Sequence, residues 1–187
     1  MNIISKQNNK TKFTRMCISE AILKLLKANP LDKISVTNII KKAGIARMTF
    51  YRYYDSSHAA LKDYLQIIIS EYIEECGKVQ DIADYLQYKH ILFSLNFFDK
   101  YADFFLTLTR NNLHGILLDG MNDFMLKHVK DSVDCSVYTL YSYSGGLLNT
   151  FIKWEEDGKK ESVEAIAETI YNLFSGTEKT PKISYAT

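Results

Sequence analysis

The sequence contains little that would interrupt a helix or build a sheet. Its 187 residues include only two prolines, Pro30 and Pro181, so nearly all of the chain between them is free to be helical. No stretch alternates apolar and polar residues over a useful length, which argues against half-buried strands. We therefore predict an all-α protein of eight or nine helices.

Three further absences narrow the class of protein. No apolar run approaches the roughly 18 residues of a membrane span, and the longest, Leu65 to Ile69, is interrupted by a glutamine. The first residues, MNIISKQNNKTK, lack the apolar core of a signal peptide, so we expect a cytoplasmic protein. Cys17, Cys76 and Cys135 are odd in number and far apart, which argues against a disulfide framework or a zinc site.

Motifs of catalysis and metal binding are also missing. The sequence has no GxGxxG, no GxxxxGK[ST], no HExxH and no GxSxG. His90, His114 and His128 do not have the HxxxH spacing that places two metal ligands on one helix face. We predict no catalytic residue, no cofactor and no metal, and keep a helical-bundle enzyme only as a distant alternative.

Charge is unevenly divided along the chain, although the formal net charge is only +1. Residues 1–60 contain eleven Lys and Arg and three Asp and Glu, a net charge of +8. The other residues contain twelve basic and nineteen acidic side chains, a net charge of −7. Such a split indicates one part that meets a polyanion and another that does not.

Apolar residues recur at helical spacing in one segment after another. We predict helices at about 11–28, 36–43, 46–53, 56–76, 81–97, 99–111, 115–131, 137–156 and 162–175. Ser35 is placed to cap the second helix and Gly44 to end it at positive φ. Asp55 is a candidate cap for the fourth helix.

Residues 34–57 have the spacing of a helix-turn-helix, with Ala43-Gly44-Ile45 as the turn. In the helix after the turn, Phe50 and Tyr54 are four residues apart and share a face directed at the core. The remaining faces carry Arg47, Thr49, Tyr51 and Arg52. Because these donor-rich side chains suit phosphates and base edges, the segment predicts a DNA recognition helix.

The run ISVTNIIKKAGIARMTFYRYY resembles the N-terminal domain of the TetR/AcrR family of bacterial repressors, and the resemblance covers residues 11–65. The family pattern is an ITV-like start, an A-G-V turn and T-x-Y-x-x-F. The matching residues are Ile34-Ser35-Val36, Ala43-Gly44-Ile45, and Thr49, Tyr51 and Tyr54. The segment GGLLNTFIKWEEDGKKESVEAIAETI also looks like that family, in which a glycine-containing helix ending in Trp precedes a short loop and a final amphipathic helix.

The resemblance implies two domains. Residues 1–55 would form a three-helix DNA-binding helix-turn-helix domain. Residues 56–187 would form a C-terminal helical bundle for ligand binding and dimerisation, with 56–76 as the connecting helix and a plausible lever between the two.

The resemblance also implies a set of DNA contacts. Thr37 would approach a phosphate or base, Arg47 and Met48 would face base edges, and the other residues would contact phosphates. The set so implied is Thr37, Arg47, Met48, Thr49, Tyr51, Arg52, Tyr53 and Ser57. The family usually has a lysine where this chain has Ser57, so we expect the salt dependence of binding to fall by about one unit of slope at most.

The second half of the chain is dense in aromatic residues, which suits a ligand site between helices. Our candidates for its lining, around a small apolar or aromatic effector, are Phe93, Phe97, Phe104, Met121, Met125, Tyr138 and Tyr141. A cavity between the middle helices would favour such an effector. A filled core would favour the alternative, a DNA-binding regulator without a small-molecule effector that a protein partner controls.

The last two predicted helices are candidates for a homodimer interface, as a four-helix bundle with their symmetry mates. The candidate residues are Gly145, Leu147, Leu148, Ile152, Ile166 and Ile170. Each glycine of Gly145-Gly146 costs a helix roughly 1 kcal/mol relative to alanine, and we expect the pair to allow close helix–helix approach. Two-fold symmetry would place two recognition helices roughly 34 Å apart on a palindromic operator. The predicted function is a DNA-binding transcriptional regulator, a ligand-responsive repressor in its more specific form.

Overall fold

The computed structural model describes residues 3–79 and 85–175, and within them it is helical and contains no strand. This confirms the all-α prediction. The nine α-helices of these residues are α1 (Ile3–Leu26), α2 (Val36–Ala43), α3 (Arg47–Tyr53), α4 (Ser57–Cys76), α5 (Tyr88–Asp99), α6 (Ala102–Arg110), α7 (His114–Phe124), α8 (Val137–Glu156) and α9 (Val163–Ser175). Of these described helices, none is both long enough and apolar enough to cross a bilayer.

Three helix boundaries differ most from the sequence prediction. The first helix begins at Ile3 rather than near residue 11, because nothing between them breaks a helix. The predicted helix at 81–97 begins at Tyr88, and its residues 81–84 lie outside the described residues. The predicted helix at 115–131 leaves α-geometry after Phe124, continuing as a π turn over Met125–Val129, in which Met125 and Val129 are buried.

Local hydrogen bonds define the helix-turn-helix. Ser35 caps α2, since its Oγ accepts from the Asn38 backbone N–H at 3.2 Å while the Asn38 Oδ1 accepts from the Ser35 N–H at 3.1 Å. Gly44 ends α2 in the left-handed region at φ 67°, a conformation that glycine adopts without strain. Ala46 then returns to extended backbone and α3 begins at Arg47.

The hydrophobic core runs from the helix-turn-helix into the bundle through α4. At the first end, α1 packs on α2 and α4, burying Ile18, Ile39 and Phe50 completely. At the other end, α4 packs on α7, where Gly120 lies so close to Leu65 that an added Cβ would come 2.3 Å from the leucine Cδ2. The connecting helix is therefore a structural member of both halves.

Candidate nucleic-acid interface

Two aromatic side chains hold α3 on the protein. Phe50 is fully buried and Tyr54, the residue that ends the helix, is 6% exposed. Their rings meet edge to face with centroids 6.1 Å apart. With these two residues turned inward, helical geometry directs the opposite side of α3 to the solvent.

The solvent side of α3 carries the cationic and hydroxyl side chains that the sequence predicted. Met48 is 79% exposed, Tyr51 is 48% exposed, and Arg47 and Arg52 are exposed as well. Met48, Thr49, Tyr51 and Arg52 border an open hollow of about 400 Å³. Four of the six predicted contact residues of α3 thus border one accessible surface, while Arg47 is exposed beside Tyr51 and Tyr53 is half-buried.

The two arginines of α3 form no ion pair with a described residue. Arg47 lies along Tyr51, with its Nη2 3.4 Å from the tyrosine hydroxyl oxygen and its guanidinium carbon 5.6 Å from the ring centroid. Arg52 lies 5.3 Å from the centroid of the Tyr53 ring in the same way. Both cations are therefore orientated by aromatic rings and remain available to an anionic partner.

The flanking candidates lie on the neighbouring helices. Thr37 is exposed in the first turn of α2, and Ser57 is half-buried at the first position of α4. The prediction that Asp55 caps α4 is wrong, because Ser56 stands one residue nearer to the helix and its Oγ accepts from the Ala59 N–H at 3.1 Å. Asp55 instead accepts a hydrogen bond from the Ser56 hydroxyl at 2.9 Å.

A carboxylate that the sequence analysis did not single out lies behind α3. Asp63 of α4 accepts from the Tyr54 hydroxyl at 2.5 Å and from the Arg15 Nε at 2.8 Å, and the Arg15 Nη2 donates to its other oxygen. Burial, followed by the bond to Asp63, raises the pKa of the Tyr54 hydroxyl well above its ordinary value. The same carboxylate raises the pKa of Arg15.

Among the described residues, the interior of the bundle holds little open space. Two small cavities share the side chains of Ser94, Phe98, Met121 and Leu147. The larger, of about 20 Å³, lies between α5, α6, α7 and α8, and the smaller, of about 10 Å³, lies between α4, α5, α7 and α8. Each has room for about one water molecule. Of the lining candidates, Met121 and Met125 border these cavities.

The other lining candidates lie elsewhere. Phe93 packs on Tyr72 from partly outside the core, and Phe97 is buried but borders neither cavity. Phe104 packs on Tyr64 beside a surface cleft. Tyr138 and Tyr141 are 79% and 46% exposed, and their placement in a pocket is wrong because α8 turns Leu140 and Tyr143 inward instead.

A buried polar group borders the smaller cavity. The Tyr72 hydroxyl oxygen lies 2.5 Å from His90 Nε2 and 2.7 Å from Ser94 Oγ, and the Ser94 hydroxyl lies 2.8 Å from the His90 carbonyl oxygen. Burial raises the pKa of Tyr72 well above its ordinary value. His90 and Ser94 are four residues apart on an apolar face of α5, a spacing in the sequence that indicates a buried polar pair.

Most candidates for a dimer interface are buried within the chain itself. Leu147, Leu148, Ile152 and Ile170 are at most 8% exposed, and the first two border the larger cavity. Their assignment to an intermolecular contact is therefore wrong, since one apolar stripe cannot serve both purposes. Ile166 is half-buried.

Gly145 remains compatible with the predicted dimer interface. An added Cβ at Gly145 would have no neighbour within 4 Å, so its backbone faces open space. The same outward side of α8 carries Tyr138 and Tyr141, and on α9 Leu173 is 58% exposed. Gly146 serves the chain's own packing, because its added Cβ would come 3.1 Å from the Phe174 ring on α9.

Together, the helix-turn-helix and the helical bundle have the fold of the TetR-family regulators. The chain is 23% identical over 161 residues to the "uncharacterized HTH-type transcriptional regulator YvdT" of Bacillus subtilis. The aligned region covers 86% of this chain and 78% of that protein. No family model matches the sequence.

Two solved structures show the similarity of fold. A TetR transcriptional regulator from Streptococcus agalactiae matches with a TM-score of 0.59 at 18% identity, over 92% of this chain and 99% of that one. FadR of Bacillus subtilis, solved in complex with stearoyl-CoA, matches with a TM-score of 0.55 at 17% identity, over 85% of this chain and 96% of that one. The predicted resemblance is confirmed at the level of the fold.

Proposed function

We propose that the chain is a DNA-binding regulator of transcription that binds an operator through α3. The observation that carries this proposal is the exposed side of α3, where two arginines that form no ion pair with a described residue lie beside hydroxyl groups on a helix that follows a glycine turn. The net charge of +8 over residues 1–60 would attract the phosphate backbone. The similarity to an HTH-type regulator supports the same function.

The side chains divide by the part of DNA that each would contact. Arg47 and Met48, at the start of α3, would enter the major groove and meet base edges. Thr49, Tyr51, Arg52 and Tyr53 would contact phosphates, with Thr37 and Ser57 at the two ends of the contact.

The regulator would act as a homodimer in the cytoplasm. Two-fold symmetry would set two copies of α3 roughly one helical turn of DNA apart and match them to a palindrome. We place the contact on the outward side of α8 and α9, around Gly145, Tyr138, Tyr141 and Leu173, in place of the leucines first considered.

Fluorescence anisotropy with labelled DNA from upstream of the protein's own gene tests this function. We expect saturable binding that weakens steeply with salt, because several phosphates are neutralised. Unlabelled random DNA should compete poorly with the labelled duplex. Binding that is equally strong to any duplex, or none at low salt, would refute the proposal.

The filled bundle favours regulation without a small-molecule effector, by a protein partner, because the two cavities hold about one water molecule each. A ligand-responsive repressor remains the second candidate. It is favoured by the buried Tyr72, His90 and Ser94 group, which would give one polar anchor to a small apolar or aromatic molecule.

In the ligand-responsive form, the molecule would enter by displacing Met121 and Leu147, which border both cavities. It would then shift α4 and change the spacing of the two copies of α3. Titrating fractionated metabolite pools into the protein–DNA complex separates the candidates. Release of DNA that is lost in Ser94→Leu supports the effector, whereas no release by any fraction supports the effector-free regulator.

A further inference from the structure

The carboxylate of Asp63, on α4, connects the end of α3 to α1 and α4. We propose that Asp63 is a positioning residue for DNA recognition: by holding Tyr54 and Arg15 together it fixes the orientation of α3 on α4 and α1. It thereby determines how well the protein distinguishes its operator from other DNA. This inference rests on the proposed function.

The recognition helix needs such support because it is short. It has seven residues, and its N-cap, Ala46, makes no side-chain hydrogen bond. A helix of two turns is not stable by itself and takes its orientation from its contacts. Among residues 46–54, only the Tyr54 side chain hydrogen-bonds to another helix in the described structure.

The geometry at Asp63 suits a rigid joint. Arg15 contacts both carboxylate oxygens through two different nitrogens, the forked pairing that fixes direction as well as distance. The side chains of Asp63 and Arg15 are 23% and 31% exposed, so the pair is partly shielded from solvent and from salt. The Tyr54 ring, 6% exposed, cannot follow a movement of the carboxylate without moving the end of α3.

A second network on α4 provides a matched control. Glu71 lies eight residues after Asp63, pairs with Lys12 of α1 at 2.7 Å, and accepts a hydrogen bond from the Tyr101 hydroxyl. It therefore has the same chemistry, a carboxylate between a basic residue of α1 and a tyrosine. It joins α1 and α4 to the segment before α6, however, and forms no hydrogen bond or ion pair with α3 among the described residues.

The test compares Asp63→Asn, Tyr54→Phe and Glu71→Gln with the wild-type protein. A duplex is first selected from a random library by the wild-type protein, and its dissociation constant is measured beside that of an unrelated duplex of equal length and composition. Thermal unfolding of each variant is followed in parallel.

We expect Asp63→Asn to weaken binding of the selected duplex about tenfold and of the unrelated duplex less than twofold, because non-specific binding depends on charge rather than on the setting of α3. Tyr54→Phe should weaken selected binding about threefold in the same pattern. Glu71→Gln should lower the unfolding temperature but leave the ratio of the two constants unchanged.

Each outcome is decisive. If Asp63→Asn does not fold, Tyr54→Phe carries the test, since it removes a single hydroxyl. Unchanged ratios in both variants, or an equal loss in Glu71→Gln, would overturn the positioning role while leaving the proposed function intact. A wild-type protein that selects no duplex would remove the proposed function and this inference with it.

Discussion

At the scale of residues, α3 offers two arginines in different settings. Arg47 is in the first turn beside Tyr51, and Arg52 is in the last turn beside Tyr53. In the proposed function, the first would meet a base edge and the second a phosphate. Substituting Arg47 should therefore reduce the sequence preference of binding, whereas substituting Arg52 should reduce the affinity for every duplex.

Arg47→Ala should weaken binding of the selected operator by about 1–3 kcal/mol and relax its sequence preference at one position. The reason is the loss of a bidentate contact to a base. Competition binding with a set of single-base operator variants measures this preference. A preference identical to that of the wild type would contradict a base contact for Arg47.

Arg52→Ala should weaken binding of all duplexes by a similar factor and lower the slope of log K against log salt by about one. Anisotropy titrations at four salt concentrations give this slope. Lys24→Ala is the matched control, because Lys24 is an exposed cation of α1 that forms no ion pair with a described residue and borders a cleft lined by no residue of α3. An equal change of slope in the control would show that only overall charge is being measured.

At the scale of elements, the turn between α2 and α3 depends on one backbone conformation. Gly44 has φ 67°, and an added Cβ would meet no atom within 4 Å, so a larger residue is disfavoured by the backbone alone. Gly44→Ala should lower the free energy of unfolding by about 1–2 kcal/mol.

The control for this turn is Gly115→Ala, at a helical glycine of α7 that also has open space around its Cβ position. That variant should be stabilised by up to about 1 kcal/mol, since alanine is the better helix former. Urea unfolding of both variants gives the comparison. Changes of opposite sign in the free energy of unfolding support the argument, and a neutral Gly44→Ala would contradict it.

The contact between α4 and α7 depends on a second glycine. An alanine at Gly120 would place its Cβ 2.3 Å from Cδ2 of Leu65, which is 1% exposed and enclosed by the core. Gly120→Ala should destabilise the protein by roughly 1–3 kcal/mol. The double variant with Leu65→Ala should recover part of that loss, whereas simple additivity of the two costs would exclude this clash as the cause.

Elements with strong local signals could be predicted from the sequence. The cap at Ser35, the left-handed Gly44 and the helices over 137–156 and 162–175 follow from short-range rules, and the structure contains all of them. The inward Phe50 and Tyr54 likewise followed from their spacing. The exposed surface of α3 was therefore predictable.

Features that depend on which helices meet could not be predicted in this way. Leu147 and Leu148 form an apolar stripe that suits a partner chain or the chain's own core, and only the packing of α8 shows that it faces the core. The bond from Tyr54 to Asp63 joins residues nine apart across a turn, and Arg15 reaches the same carboxylate from 48 residues away. No periodicity encodes such a meeting.

At the scale of the whole molecule, the proposal requires two copies. The open backbone at Gly145 is the place where a second helix could approach closely. Gly145→Leu should raise the dissociation constant of the dimer at least about tenfold by forcing the helices apart. Sedimentation over a concentration series measures it, with Gly115→Leu as the control at an open glycine on another helix.

An unchanged dimer in Gly145→Leu would move the contact away from this side of α8. Dissociation by Gly115→Leu to the same extent would show that a leucine at any open helical glycine disturbs assembly. Either result would leave the helix-turn-helix untouched, because Gly145 lies on α8 and the proposed DNA-binding surface on α3.

The most direct test of the central claim is selection of duplexes from a random library by the purified protein at physiological salt. The account predicts enrichment of one palindromic sequence with half-sites about one helical turn apart, bound by two chains, and loss of that enrichment in a variant carrying both Arg47→Ala and Arg52→Ala. Failure to enrich any sequence, or enrichment that persists in the double variant, would contradict it.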